Sequence, residues 1–448
     1  MIDKKPVSAR EVAVFTLFSI AEEGAWSEGA LHHYLQLAQL SNRDAALAAK
    51  LAYGTIQNRF MCDFYIRKYS KIRLAKIKPR VLEIMRMGVY QLTMLDRIPV
   101  HAGVSETIKL IRKHAKADER TVGFANGVLR AIAKAKEENK LPNPDCPDKE
   151  SYYSLRYTHP EWLVKTLVSQ YGQKETQKIL QSNNENTPIS VRVNLIKTTL
   201  NEVKQSLQND GFTVENHPTM QNILLCSGGD IARNTLFLDG KITVQDSASA
   251  VCVEVLSPKP DMKIIDCCSA PGGKTFYIAE KMRNTGKLIS CDIYAHKLEK
   301  IKEGANRLGF SIIQTCLADG QIFKPELEKW ADAVLCDVPC SGLGIIRKKP
   351  EIRFKTDEEL CELPKIQSSI LKNCVNYVKA GGVIVYSTCT ILKRENEDII
   401  NAFLKENKDF TLEPFSHPVC GETNGMITLL PHINNTDGFF IAKLRRKS

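Results

Sequence analysis

The sequence has no early apolar run long enough to cross a bilayer; Val12 to Ile20 is the longest, and Thr16 and Ser19 interrupt it. Its first residues, MIDKKPVSAR, lack the apolar centre of a signal peptide, so a cytoplasmic protein with no membrane partner is expected. In that compartment the 14 cysteines should be free thiols. Nor do they spell a zinc site. Cys336 and Cys340 are spaced C-x3-C, but no second Cys or His pair at ligand spacing accompanies them, and no metal is expected. Cys267, Cys291, Cys316 and Cys336 lie in or beside strand-like apolar runs and read as buried small hydrophobes. The dinucleotide fingerprint GxGxxG and the phosphate loop GxxxxGK[ST] are also missing, which disfavours NAD and ATP.

What is present is ordinary in bulk and uneven in charge. A chain of 448 residues with 43% apolar and 25% charged content should fold into two or three domains, each with its own core. Of the net charge of +11, residues 1–150 carry most, with 25 Lys and Arg against 17 Asp and Glu. Within them Arg59 to Arg80 holds eight basic residues against the single acid Asp63, with Tyr65 and Tyr69 interleaved. Such a stretch suits a polyanion such as RNA, or it is a solvated helix face.

Taken in order, the chain opens with a capping-box pattern, Ser8-x-x-Glu11, followed by Ala13, Leu17, Ile20 and Ala21 at helical spacing up to Gly24. Similar amphipathic segments at 44–58, 79–95, 100–113 and 121–134 make residues 6–135 an all-α domain. Residues 136–150, charged and proline-rich, read as a linker. Residues 151–245 read as a small α+β module: a helix from Pro160 ending at Gly172, a strand at 191–194, a second capping box Thr199-x-x-Glu202, and strands at 212–215, 223–226 and 236–245. From 246 to 448 strands and helices alternate, including one long helix from Asp357 to Lys379. That alternation predicts an α/β fold with a mostly parallel, doubly wound sheet.

The chemistry gathers at the predicted carboxyl edge of that sheet. KIIDCCSAPGGKT runs from an apolar strand into a Pro271-Gly272-Gly273 turn and then a helix, a layout that brings backbone N–H groups close to a ligand. Asp266, Asp292 and Asp319 end successive strands, and Asp337 begins DVPC; an acid at this edge meets ribose hydroxyls. Cys340 and Cys389 also stand at strand ends and should face the same crevice, where a thiol near a helix N-terminus has its thiolate favoured.

These residues resemble the RNA cytosine-5 methyltransferases, which use S-adenosylmethionine. CCSAPGGKT, Asp292, Asp319, the DVPCSG of Asp337 to Gly342 and the STC of Ser387 to Cys389 carry the likeness. LAYGTIQNR, VYQLTMLDRIP and FANGVLR resemble a NusB-like RNA-binding domain, and VRVNLIKTT and VQDSASA resemble the family's pre-catalytic module. The NusB-like extension is similar to that of the bacterial enzymes acting on small-subunit (16S) rRNA. The resemblance implies a Rossmann-like catalytic domain holding S-adenosylmethionine through Cys268, Ser269, Ala270, Pro271, Gly272, Gly273, Lys274, Asp292, Asp319 and Asp337. It implies Cys389 as the nucleophile on cytosine C6, Cys340 as its aid in release, and Asp337 as a hydrogen-bond partner of the N3/N4 edge. The basic Arg347, Lys348 and Lys349 either hold flanking phosphates or form an ordinary solvated loop.

The sequence departs from the usual pattern at Val338, where alanine is common, at Ser269, at Ala318 to Gly320, and at Tyr294, where a second acid is often found. None of these removes a reacting group. A monomer acting on rRNA, naked or in an assembling small subunit, is therefore expected. The competing expectations are the same chemistry on tRNA and a non-catalytic RNA-binding factor.

Overall fold

The computed structural model describes residues 5–96 and 98–448; Met1 to Lys4, part of the opening stretch read above, and Arg97 within the VYQLTMLDRIP phrase lie outside them. The chain packs as two compact units, one formed by residues up to Asn184 together with Ile346–Asp357, the other by Glu185–Ile345 and Glu358–Ser448.

The first unit is helical, with α1 (Ala9–Glu23), α2 (Ser27–Ala38), α3 (Asn42–Gln57), α4 (Arg59–Tyr69), α5 (Pro79–Met94), α6 (Val100–His114), α7 (Glu119–Glu137), α8 (Lys149–Tyr157) and α9 (Glu161–Ser182). Ser8 caps α1 by accepting from the Glu11 N–H, while the Glu11 carboxylate reaches back to the Val7 N–H and to His114. The spaced apolar residues of α5 (Val81, Ile84, Met85, Val89) are buried against those of α1 and α3. Gly172 breaks helical geometry at φ 78°, but the chain resumes and continues to Ser182. The expected helix end is thus a kink.

Residues 346–357 belong to this helical unit although the chain on either side belongs to the other. Phe354 joins the helical core with the Arg59 guanidinium 4.4 Å from its ring. The Glu351 carboxylate accepts from the Ser27 N–H and hydroxyl at the start of α2 (2.9 and 2.7 Å), and Lys349 lies over the Trp26 ring. Arg353, 1% exposed, donates to the Asn183 carbonyl and the Asn184 side chain, and burial pulls its guanidinium down to about 9.

The second unit carries two main sheets. The smaller is antiparallel in the order β2-β3-β1-β4: β1 (Ile189–Val193), β2 (Thr213–Asn216), β3 (Ile223–Ser227) and β4 (Ile242–Val244). α10 (Leu200–Asn209) opens with both bonds of the Thr199/Glu202 capping box, and its Val203 and Leu207 pack into this sheet's core. The strand expected over 236–245 is shorter than that, because Asn234 caps a helical turn, α11 (Thr235–Leu238), before β4 begins. Packing therefore divides residues 151–245: α8 and α9 go with the first unit and the small sheet with the second.

After α12 (Ser247–Leu256), the large sheet runs β10-β14-β9-β8-β5-β6-β7, with β13 paired to β14. Its parallel strands are β5 (Lys263–Asp266), β6 (Lys287–Asp292), β7 (Ile313–Leu317), β8 (Ala331–Asp337) and β9 (Val378–Thr388), interleaved with α13 (Gly273–Lys281), α14 (Ala295–Leu308), α15 (Asp357–Leu360) and α16 (Leu363–Cys374). The single helix expected from Asp357 to Lys379 is broken, with Pro364 in the first turn of α16 and β9 starting at Val378. α17 (Glu397–Glu406) leads to the closing strands β10 (Phe410–Leu412), β11 (Phe415–His417), β12 (Gly421–Thr423), β13 (Met426–Leu429) and, past α18 (Pro431–Asn434), the antiparallel β14 (Phe439–Arg446); β11 and β12 pair as a hairpin. The fold is α/β with a mixed, Rossmann-like sheet whose strand order reverses beside β5, the place where such sheets bind ligands. No helix of the described residues is long and apolar enough to cross a membrane.

Candidate active site

The site begins where β5 ends. The backbone turns at Gly272, whose φ of 106° is a left-handed conformation; a Cβ there would also strike the Phe276 ring at 2.6 Å. The turn is tied down by Ser269, whose N–H and hydroxyl both donate to the Cys291 carbonyl (2.8 and 2.9 Å). Asp292, at the end of β6, accepts from the Ala270 N–H at 3.3 Å and from the Tyr294 N–H at 3.0 Å. It therefore braces the turn as well as standing at the sheet edge. Asp319 follows β7, partly exposed, and accepts from the Gln321 N–H. Near these acids Ile293, Tyr294, Leu317 and Ile322 are at least half exposed, an apolar shelf that the sequence did not single out.

Asp266 does not line the edge with the other acids. It is 1% exposed beneath the turn and accepts from the Thr275 hydroxyl at 2.7 Å. Burial pushes its carboxyl up to about 7, against the opposing Thr275 bond and with help from the charge of Asp337. An unfolded aspartate titrates near ~4, so between about pH 4 and 7 the folded state keeps a proton that the unfolded chain has released. Stability contributed by the neutral form is complete below that window and is lost as pH rises through it. Asp266→Asn should remove this slope. Melting followed from pH 4 to 7.5 should show the wild type falling relative to the variant, by at most about 4 kcal/mol; parallel curves would contradict the assignment.

Asp337, ending β8, is held from two sides. The Lys274 ammonium lies 2.7 Å from one carboxylate oxygen, and the Ser387 hydroxyl donates to the other at 2.7 Å. Lys274 also sits 5.1 Å from the Phe439 ring. Although burial opposes its charge, Asp337 and neighbouring thiols hold its ammonium above the usual lysine range. Cys268 is partly buried in the turn, where burial, then Cys267 and Asp266, push its thiol well up.

The two strand-end cysteines meet: the Cys340 and Cys389 sulfurs are 3.1 Å apart. β8 and β9 are parallel neighbours with Asp337 opposite Ser387, so the loops beyond them leave the sheet together. The hydrogen bond to Cys389, together with burial, raises the Cys340 thiol well above its ordinary value. Of the four cysteines read as buried hydrophobes, Cys267, Cys291 and Cys336 are buried, whereas Cys316 is partly exposed on the edge strand β7.

A polar knot behind the thiols escaped sequence reading. Glu395, 0% exposed, accepts through one oxygen from the Ser341 N–H and the Gln367 amide (both 2.9 Å), and through the other from the Thr390 hydroxyl at 3.3 Å. Ser341 and Thr390 are the residues following the two cysteines. The basic Arg347, Lys348 and Lys349 fall in the segment that packs with the helical unit.

Comparison with known proteins marks three regions, the middle one crossing the boundary at Asn184. A family model described as 16S rRNA methyltransferase RsmB/F matches residues 253–445, the NusB family matches 7–134, and an RsmF/B-like ferredoxin-like domain matches 159–231. The probable ribosomal RNA small subunit methyltransferase B of Bacillus subtilis (strain 168) is 33% identical, over 99% of this chain and 100% of that protein. The ribosomal RNA small subunit methyltransferase B of Serratia proteamaculans (strain 568) is 31% identical over 98% and 99%. Among solved structures, PH0851 superposes with a TM-score of 0.83 at 27% identity, covering 99% of each chain. A methyltransferase homolog from Pyrococcus horikoshii superposes with a TM-score of 0.59 at 25% identity, over 67% of this chain and 100% of that one.

Proposed function

Because this chain belongs to the 16S rRNA methyltransferase RsmB/F family, we propose that it methylates C5 of a cytosine in small-subunit rRNA, with S-adenosylmethionine as donor and Cys389 as covalent nucleophile. The observation that carries the reading is the pair of sulfurs 3.1 Å apart, at the strand edge that also holds the glycine turn.

The residues present fit the cofactor. Gly272 lets the backbone turn at positive φ against the Phe276 ring, and the first turn of α13 has N–H groups without intrahelical partners, suited to a carboxylate. Cys268 to Lys274 surround that position. Asp292 and Asp319 have remaining acceptor capacity for ribose hydroxyls, and the exposed Ile293 and Tyr294 offer an apolar surface to a purine. Bound there, S-adenosylmethionine supplies an electrophilic methyl group on a sulfonium.

Cytosine C5 is a poor nucleophile until C6 is attacked. The Cys389 thiolate forms an S–C6 bond, and the electrons of the C5=C6 double bond move toward the ring's N3/N4 end and back to C5, which takes the methyl. Asp337, fixed by Lys274 and Ser387, faces charge changes at N3 and N4. Loss of the C5 proton to a base restores the double bond and expels the Cys389 thiolate. The Cys340 S–H is placed to donate to the departing sulfur. The target base must be unpaired or flipped to reach the thiols.

The test is to incubate the protein with radiolabelled S-adenosylmethionine and separate small-subunit rRNA, large-subunit rRNA and tRNA, then identify the labelled nucleoside. Label as 5-methylcytidine in small-subunit rRNA is the expected result. Label confined to tRNA would overturn the substrate, and none anywhere would favour a binding factor.

A further inference from the structure

The two thiols need to be held in contact, and neither side chain does this for itself. Each stands on a loop that leaves the sheet, Cys340 after β8 and Cys389 after β9, and loops drift unless something ties them. The tie is Glu395. Its side chain is fully buried, and a buried carboxylate persists only where hydrogen bonds replace lost water. Those bonds go to the two loops. One oxygen fixes the N–H of Ser341, the residue bonded to Cys340; the other takes the hydroxyl of Thr390, the residue bonded to Cys389. Ser341 and Thr390 are further joined by their hydroxyls at 2.8 Å. Gln367 of α16 completes the clamp, its amide donating both to Glu395 and to the carbonyl of Pro339, on the other side of Cys340. The glutamate itself is anchored by its own carbonyl, which accepts from Tyr386 on β9 at 2.7 Å.

We propose that Glu395 is the positioning residue of the two-thiol site: by gripping Ser341 and Thr390 it keeps the Cys340 S–H on the Cys389 sulfur, so that expulsion of Cys389 from the methylated base finds its donor. This rests on the reading of Cys389 as nucleophile and Cys340 as its aid in release. A carboxylate suits the task because both its oxygens accept and its charge shortens the bonds it receives. An amide in its place would turn one acceptor into a donor, facing either the Ser341 N–H and the Gln367 amide or a Thr390 oxygen that already accepts from Ser341 and Leu392.

The full-length protein tests this in three forms, wild type, Cys389→Ala and Glu395→Gln, each given radiolabelled S-adenosylmethionine and small-subunit rRNA. For Glu395→Gln we expect turnover to fall on the order of 10²-fold, as for an active-site misplacement of about 1 Å. The KM for S-adenosylmethionine should stay within about twofold, since no bond of Glu395 reaches the cofactor turn. A denaturation-resistant protein–RNA adduct, absent from the wild type at steady state, should appear because release is the step impaired. Gln367→Leu, which removes a bond to each of Pro339 and Glu395 without altering a charge, should show the same adduct more weakly. Wild-type turnover in Glu395→Gln would overturn the proposal, as would lost turnover with no adduct and weakened cofactor binding, the pattern of a merely structural residue. Failure of the nucleophile reading is seen separately, as methylation by Cys389→Ala.

Discussion

Cys389→Ala is expected to abolish methyl transfer, by on the order of 10⁴-fold or more, while S-adenosylmethionine still binds. The effect is this large because the nucleophile is needed to change the electronic character of C5, not merely to assist; no neighbouring group offers the same attack. Cys340, 3.1 Å away, is disfavoured as a substitute, since the hydrogen bond to Cys389 and burial raise its thiol well above the usual range. The turn proposed to hold the cofactor is braced by the bonds of Ser269 to the Cys291 carbonyl and of Asp292 to the Ala270 and Tyr294 N–H groups, so donor affinity should change little. Measuring label transfer alongside cofactor binding by equilibrium dialysis separates the two. A variant that still methylates cytosine means that the nucleophile lies elsewhere.

Cys340→Ala should fail differently. Addition and methyl transfer can proceed, but the departing Cys389 sulfur has lost its hydrogen-bond donor, so steady-state turnover is expected to fall about 10²-fold or more while the covalent protein–RNA species accumulates. A denaturing gel loaded with labelled RNA would show a band retarded by the protein's mass. The pair of variants is informative jointly: one blocks formation of the adduct and the other its breakdown, so Cys389→Ala combined with Cys340→Ala must show no retained RNA. A Cys340→Ala protein that turns over normally, or that stalls without retained RNA, would remove Cys340 from release.

Much of this site could be read from the chain alone, because parallel strands deliver their carboxyl ends to one edge. An apolar run followed by Asp292, by DVPC or by STC therefore locates Asp292, Asp337, Cys340 and Cys389 without coordinates, and the structure brings the two thiols together as that reasoning requires. What the pattern does not carry is burial across the chain. Asp266 looks like the other strand-end acids, yet the turn above it closes it off. Glu395 sits in LKRENED, a stretch that reads as solvated, and nothing local marks the middle glutamate as buried while Lys393 and Arg394 precede it. Two of its side-chain partners, Ser341 and Gln367, come from distant segments. The helix of residues 27–38 escaped for a related reason: its N-cap, Trp26, makes no side-chain cap bond, and few of its residues are buried. The broken helix at 357–379 and the kink at Gly172 concern element boundaries, which proline and glycine mark without telling how far the chain resumes beyond them.

The segment 346–357 has a consequence for how the molecule is made and cut. Its Arg353 is an interior residue of the helical unit and its Phe354 packs, partly buried, against that unit's core, although the ribosome supplies both long after the helices they join. The helical unit is therefore not finished when its last helix has been synthesised: Ser27 waits for Glu351, Asn183 for Arg353 and Arg59 for Phe354. A truncated gene ending after Asn184 would yield helices with an unfilled seam, and one beginning at Glu185 would leave Phe354 and Ile352 without their cover. Dissection at that apparent boundary should cost both fragments solubility, whereas the intact chain closes the seam with its own later residues.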